Sequence, residues 1–365
     1  MIRPNLTIEA IPAGEPFIGP ERIMRERGLQ TMLRLGANES AFGPSPRAVA
    51  AMAAELPRLS WYGDPDSYAL RSALAERWNT GRDDVLVTSG IDELLGLVVR
   101  CFLAPGEAVV ASAGTYPTFA YHAIGYGGRV ESVAYREDGR IDLDELAAAA
   151  RRCNAAICYL ANPDNPSGSF ADADAILRFR SALPARTLLL LDEAYAEFAD
   201  PQALVEPRPL PGVVRARTFS KLYGMAGARI GYGLAPQALL APMLKVRLQY
   251  GVNRNAQIGA LAALTDDAFA RDVLERTARG RAEYAALGAE LGLPTLESST
   301  NFVCFDCSSR ERADAVLEAL LRRGVWTRKP GIAPLDRCIR VTVGDEEDRE
   351  HFATELRAIR ARVAM

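Results

Sequence analysis

At 365 residues the chain is longer than one hydrophobic core commonly serves, and 49% hydrophobic with 24% charged residues describes an ordinary globular protein of two domains. Lys and Arg total 43 against 46 Asp and Glu, a net charge of −3, so there is no basic field for nucleic acid or an anionic membrane, and small-molecule chemistry is expected. No run approaches the roughly 20 apolar residues of a membrane span, and Met1–Asn5 opens no apolar signal segment, so the chain reads as cytoplasmic.

Residues 1–44 form an arm without hydrophobic period, ending in Leu35-Gly36-Ala37-Asn38-Glu39-Ser40-Ala41-Phe42-Gly43-Pro44. A long unperiodic arm on a globular chain is expected to wrap over a site. Trp61-Tyr62-Gly63-Asp64-Pro65 has turn composition, Leu70–Trp78 has helical spacing and Val85–Val87 reads as a strand. Ile91, Leu94, Leu95, Val98, Val99 and Phe102 recur at three and four residues, which predicts an amphipathic helix with Ser89 and Asp92 as its N-terminal cap. Strand, Ser89-Gly90 and helix N-terminus together present backbone N–H groups and a positive dipole end, which suit a phosphate but also open many helices that bind nothing.

Strand-like runs then alternate with helices. The strands are Ala108–Val110, Val130–Val133, Ile157–Leu160, Thr187–Leu191, Val213-Val214 and Ile230–Leu234, and the helices include Asp142–Arg152 and Ala171–Leu183. Over residues 45–265 this predicts an α/β domain, a mostly parallel sheet covered on both faces with ligands at the carboxyl ends of its strands. From residue 266 to 365 the pattern is a long charged helix, a strand Asn301–Phe305, a helix Arg310–Arg323, a strand ending in Ile339–Val343 and a last helix Glu346–Arg362. That is a second, smaller α+β domain, which the arm is expected to join.

Six cysteines include Cys304-Phe305-Asp306-Cys307, but strand positions three apart point to opposite faces and no second close pair follows, so the cysteines read as reduced core residues rather than metal ligands. With only His122 and His351, a histidine-based metal site or catalytic triad is poorly supplied.

Chemistry gathers at strand ends. Asn162-Pro163-Asp164-Asn165-Pro166-Ser167-Gly168 follows one strand and Asp192-Glu193-Ala194-Tyr195 another. A carboxylate at the end of a buried strand needs a cation or donors, and a helix cap is its plainer role. Arg340 stands alone in a β-branched run, where it needs an anion, either a substrate's or that of a structural salt bridge. Thr218-Phe219-Ser220-Lys221 lies between two strands, so Lys221 is expected on a loop near the interior, where desolvation favours the neutral amine that attacks an aldehyde. Ser220-Lys221, five residues, Gly227, then Arg229 and Gly231 at alternate positions is a pattern that chance gives about once per million start positions.

This stretch resembles the cofactor-lysine segment of aminotransferases dependent on pyridoxal phosphate (PLP) and, within them, the histidinol-phosphate aminotransferase family; the similarity runs over nearly the whole chain. The resemblance implies the fold type I transferase architecture. It implies that Lys221 bonds the cofactor as a Schiff base and shuttles the substrate proton, that Thr218, Ser220 and Arg229 hold the cofactor phosphate with Ser89, Gly90 and Ile91, and that Tyr116 stacks on the ring. Asp192 then binds the pyridinium nitrogen, and Asn165 and Tyr195 the phenolic oxygen. Tyr62 matches a tyrosine that reaches the partner subunit's cofactor, which implies a homodimer with shared active sites, although Trp61-Tyr62-Gly63-Asp64 departs from the usual Arg-Tyr-Pro-Asp. Asn38 matches the arm segment that passes the substrate pocket, with Ser40-Ala41 in place of Asn-Pro.

For the substrate, the resemblance implies that Arg340 binds the α-carboxylate and that Arg328, after Gly324-Val325-Trp326-Thr327, steers the far end, while Phe17 stands where the family has a tyrosine. Transamination between an amino donor and a 2-oxo acid is expected, the donor carrying an anionic or aromatic side chain, with histidinol phosphate among the candidates. Two other readings stand beside it. One is a PLP-dependent decarboxylase or lyase of the phosphothreonine decarboxylase kind, since the same residues bind the cofactor without deciding which bond breaks. The other is a non-catalytic PLP-sensing regulator, although no basic helix-turn-helix segment precedes residue 45.

Overall fold

The computed structural model describes residues 3–11, 18–206 and 208–362. In chain order its strands are β1 (Leu33–Arg34), β2 (Val85–Thr88), β3 (Ala108–Ser112), β4 (Arg129–Val133), β5 (Ile157–Ala161), β6 (Leu188–Asp192), β7 (Val213–Thr218), β8 (Gly231–Leu234), β9 (Phe302–Asp306), β10 (Val325–Trp326) and β11 (Cys338–Thr342). Seven of them form one sheet in the order β2-β8-β7-β6-β5-β3-β4, in which β8 runs antiparallel to both its neighbours and the other pairings are parallel. Leu188–Leu191 is continuously apolar because β6 is the middle strand, buried on both faces. Parallel register sets Ala161 beside Asp192 and Asp192 beside Ala216, so the loops after β5, β6 and β7 leave from one edge.

β7 runs four residues past the Val213-Val214 seen in the sequence, through Arg215 and Arg217. Both guanidiniums are buried, and Glu193 takes both: Arg215 Nη2 at 2.7 Å and Arg217 Nε at 3.0 Å. Arg217 adds Glu197 at 3.3 Å and lies 4.8 Å from the Trp78 ring centroid. A strand can carry two buried cations only when anions from elsewhere meet them, and nothing local in the sequence announces those anions.

The arm reaches the C-terminal region through β1, which pairs in parallel with β10, and β9 pairs antiparallel with β11. Leu35 of the arm shares an apolar cluster there with Tyr284, Phe305, Val325, Ile339 and Phe352. The arm also holds a helix, Pro20–Arg27, that its sequence reading lacks. Only Pro20 of that helix is buried, so no apolar stripe marks it; its signals are proline at the first position and Gly28 closing it at φ 66°. Helices Pro46–Glu55 and Arg254–Leu264 were likewise silent, because the faces they bury are largely alanine and glycine. Phe17 lies outside the described residues. Among the described residues, no helix is long and apolar enough to cross a membrane.

Candidate active site

A cavity of about 540 Å³ opens at the edge where β5, β6 and β7 end. Asn38, Ile91, Tyr116, Asn165, Asp192, Tyr195, Thr218, Ser220, Lys221, Arg229, Arg328 and Arg340 line it, gathered from the arm, the large sheet and the C-terminal strands. Lys221 sits three residues past β7. Its amine donates to the carbonyls of Asn38 at 3.0 Å and Ala37 at 3.5 Å and lies 5.6 Å from the Tyr195 ring centroid. Burial first, and then the charge of Arg340, bring its pKa down to about 8, which populates the neutral amine near neutrality.

Asp192, the last residue of the middle strand, accepts hydrogen bonds from the Tyr159 hydroxyl at 2.7 Å and the Ala194 N–H at 3.0 Å. Among the described residues neither a lysine nor an arginine pairs with it, and burial pushes its carboxyl up to about 6. Tyr159 was missed in the sequence; a lone hydroxyl in the apolar run Ile157–Ala161 was the available signal. Tyr195 is buried, its hydroxyl pushed up to about 12 by burial and accepting from Asn38 Nδ2 at 2.9 Å. Asn165 Oδ1 accepts from Arg340 Nη1 at 2.5 Å, which leaves its amide N–H groups to donate elsewhere.

The Ser89–Asp92 cap does not form. The cap position of helix Ile91–Phe102 is Gly90, at φ 78°, with no side-chain bond. The Glu93 carboxylate instead takes the Ser89 N–H at 2.5 Å, and Asp92 accepts from the Tyr116 hydroxyl at 2.8 Å. With no capping side chain, the first-turn N–H groups keep their free donors for an anion. Arg229 lies across this terminus, its guanidinium 3.6 Å from Asp92, and its backbone is left-handed at φ 56°, a strained state for a residue other than glycine. A Cβ on Gly90 would run into that guanidinium, so glycine is what permits the approach. Thr218 and Ser220 are buried beside it, the Ser220 N–H donating to Thr218 Oγ1 at 3.0 Å.

At the other end, Arg340 meets amide oxygens rather than a salt-bridge carboxylate: Asn165 Oδ1 and, at 2.8 Å, the Gly36 carbonyl. Its buried Nε has no hydrogen-bond partner among the described residues, and burial lowers its pKa. Arg328 donates to the Ile18 carbonyl at 3.0 Å. Tyr62 stands apart from this cavity: it is 75% exposed and stacks on Tyr250 with centroids 4.4 Å apart.

These residues fit the cofactor implied by the sequence. A desolvated amine suits its aldehyde, a buried carboxylate without a cation suits a protonated ring nitrogen, and an uncapped helix N-terminus with an adjacent arginine suits a phosphate.

Comparison with known proteins agrees. The family model for aminotransferase class I and II matches residues 30–356. The histidinol-phosphate aminotransferase of Symbiobacterium thermophilum is 40% identical over 346 residues, 93% of each chain, and that of Bacillus subtilis 32% identical over 350 residues, 95% of this chain and 96% of that one. A crystal structure of histidinol-phosphate aminotransferase from Sinorhizobium meliloti in complex with pyridoxal-5'-phosphate superposes with a TM-score of 0.95 at 40% identity, covering 99% of this chain and 98% of that one. An aspartate aminotransferase of Thermus thermophilus, at 21% identity and a TM-score of 0.80, shares the fold alone. Relatives of this kind favour transamination over the decarboxylase or lyase reading. With nine-tenths of its length inside that family model and 40% identity to a relative spanning 93% of it, the chain belongs to the class I and II aminotransferases, on the fold type I architecture.

Proposed function

We propose that the amino donor is an anionic compound, histidinol phosphate first among the candidates, and that a 2-oxo acid is the acceptor. The enzyme is a PLP-dependent aminotransferase. When bound, the cofactor supplies an aldehyde that captures amines and a ring that withdraws electrons from the neighbouring C–H bond. In this reading Lys221 holds the cofactor and, once displaced by the donor, takes the proton from the donor carbon and returns it a short distance away. Asp192 keeps the ring nitrogen protonated, Asn165 and Tyr195 hydrogen-bond the phenolic oxygen, and Tyr116 stacks on the ring. Ser89, Gly90, Ile91, Thr218, Ser220 and Arg229 hold the phosphate.

The observation that carries the donor's charge is a cross-strand pair of arginines. Arg328 and Arg340 are directly opposed in an antiparallel bridge, with Arg328 N–H donating to the Arg340 carbonyl at 3.2 Å and Arg340 N–H to the Arg328 carbonyl at 2.6 Å. Like charges set directly opposite repel, and both line the cavity, where burial lowers both pKa values. Histidinol phosphate carries no α-carboxylate, so in this reading its phosphate takes the carboxylate's place at Arg340 as well as meeting Arg328, and with nearly two negative charges at neutral pH it answers two cations better than a carboxylate does. The names of the relatives support the same donor.

We further propose a homodimer in which Tyr62 serves the neighbouring site. Trp61, Tyr62, Leu248 and Tyr250 are exposed apolar side chains, Tyr62 stacked on Tyr250, and a symmetric interface would cover such groups. Six unbridged cysteines support a reducing compartment, the cytoplasm.

The test is the specificity constant of wild type and Arg328→Ala on histidinol phosphate, phenylalanine and a neutral aliphatic amino acid. Wild type is expected to favour histidinol phosphate. Losing one hydrogen bond to a charged group, about 1.5–3 kcal/mol, costs the variant about tenfold to a hundredfold on that donor and less on the others. An equal loss on all three removes Arg328 from the phosphate, and a wild-type preference for the aliphatic donor overturns the donor class.

A further inference from the structure

We infer that Trp326 is the positioning residue of the anion site, one indole holding Arg328 directly and Arg340 through Gly36; this rests on Arg328 and Arg340 being the phosphate's partners. Trp326 is buried in β10, two residues before Arg328. The Arg328 guanidinium carbon lies 5.4 Å from the indole centroid, inside the reach of a cation–π contact. The same ring meets the arm. A Cβ on Gly36 would come within 2.9 Å of Cδ2 and Cε2 of the indole, so the arm passes this close only because residue 36 is glycine. The Gly36 carbonyl in turn accepts from Arg340 Nη2 at 2.8 Å. Backbone pairing fixes the assembly: Arg34 is in register with Trp326, and Leu35 N–H donates to the Trp326 carbonyl at 2.9 Å.

Two features separate this from mere space filling. Val325 lies in the apolar cluster with Leu35 and Phe305, and successive strand side chains face opposite ways, so Trp326 faces away from that core. The kind of partner also matters. An aromatic face and a carbonyl dipole orient a guanidinium without adding an opposite formal charge, so neither of these contacts cancels its attraction for a dianion.

The experiment compares Trp326→Leu and Trp326→Phe holoenzymes on histidinol phosphate and on histidinol, the same amine without phosphate. Trp326→Leu is expected to raise KM for histidinol phosphate about tenfold, with kcat and the KM for histidinol within about twofold of wild type, and Trp326→Phe, which keeps a ring, to recover part of the loss. Titrating wild-type holoenzyme with inorganic phosphate is expected to change its tryptophan fluorescence, and Trp326→Phe to abolish that change; these two readouts decide the matter if Trp326→Leu does not fold. Equal losses in kcat and KM on both donors, or a fluorescence response that survives Trp326→Phe, overturn the inference. A Trp326→Leu enzyme with wild-type KM beside an impaired Arg328→Ala enzyme sinks Trp326 alone, whereas a wild type indifferent to the donor's phosphate sinks the reading beneath it.

Discussion

Covalent attachment of the cofactor to apoenzyme is expected to follow the titration of Lys221, with a midpoint near pH 8. Burial is the larger cause of the depressed pKa and the charge of Arg340 the second. The sign is that of a base whose charged form is penalised: the reactive neutral amine grows as pH rises and saturates above the depressed pKa. With a pKa of about 8, roughly a tenth of Lys221 is neutral at about pH 7 and roughly nine-tenths at about pH 9, against roughly one in 3,000 at about pH 7 for an unperturbed lysine. The perturbation is Arg340→Gln, which removes the second cause and leaves the burial. The assay is the initial rate at which borohydride-trappable cofactor accumulates on Lys221, each profile normalised to its own plateau. Wild type is expected to level off by about pH 9, and Arg340→Gln to have its midpoint displaced to higher pH. A wild-type rate still climbing as far as an ordinary lysine would, or an Arg340→Gln profile superimposable on wild type, refutes the account of how this amine is activated.

Asp192→Asn keeps an acceptor for the Tyr159 hydroxyl but loses the charge, and forfeiting a charge-assisted hydrogen bond of about 1.5–3 kcal/mol is expected to weaken cofactor affinity about tenfold to a hundredfold by equilibrium dialysis. An unchanged affinity removes Asp192 from the ring nitrogen. Mixing inactive Lys221→Ala with impaired Tyr62→Phe protein is expected to restore activity, because a hybrid dimer with shared sites carries both defects in one site and neither in the other. Subunit exchange without any recovery argues that Tyr62 serves no neighbouring site.

The sheet was legible in the sequence where burial is two-sided. Leu188–Leu191 and Ile157–Leu160 are continuous apolar runs because their strands are central, and a run of that kind needs no partner to be recognised. Legibility failed where one residue's tolerance depends on a distant one. Arg215 and Arg217 look like the end of a strand until Glu193 is brought beside them, and Ser89 with Asp92 looks like a cap until Tyr116 takes the Asp92 carboxylate and Glu93 the Ser89 N–H. Glu193 and Tyr116 are distant partners that a local pattern cannot report, whereas Glu93, four residues from Ser89, was within reach of one.

Asn38 shows how far that dependence goes. Its backbone is left-handed at φ 55°, a conformation asparagine tolerates better than most residues, and it is almost wholly buried. Its carbonyl accepts from Lys221 Nζ and, at 3.1 Å, from Asn301 Nδ2; its side chain donates to Tyr195; its N–H donates to Thr342 Oγ1 at 3.0 Å. One arm residue therefore joins Lys221 and a cavity tyrosine, each three residues past a strand of the large sheet, to the start of β9 and the end of β11. A glycine here could adopt the same backbone but would lose the side-chain bond to Tyr195, and an alanine would lose that bond and also strain at positive φ. The sequence motif singles out this position by resemblance alone. The physical reason for asparagine, a left-handed turn whose amide and carbonyl each have a partner more than 150 residues away, exists only once the chain has folded.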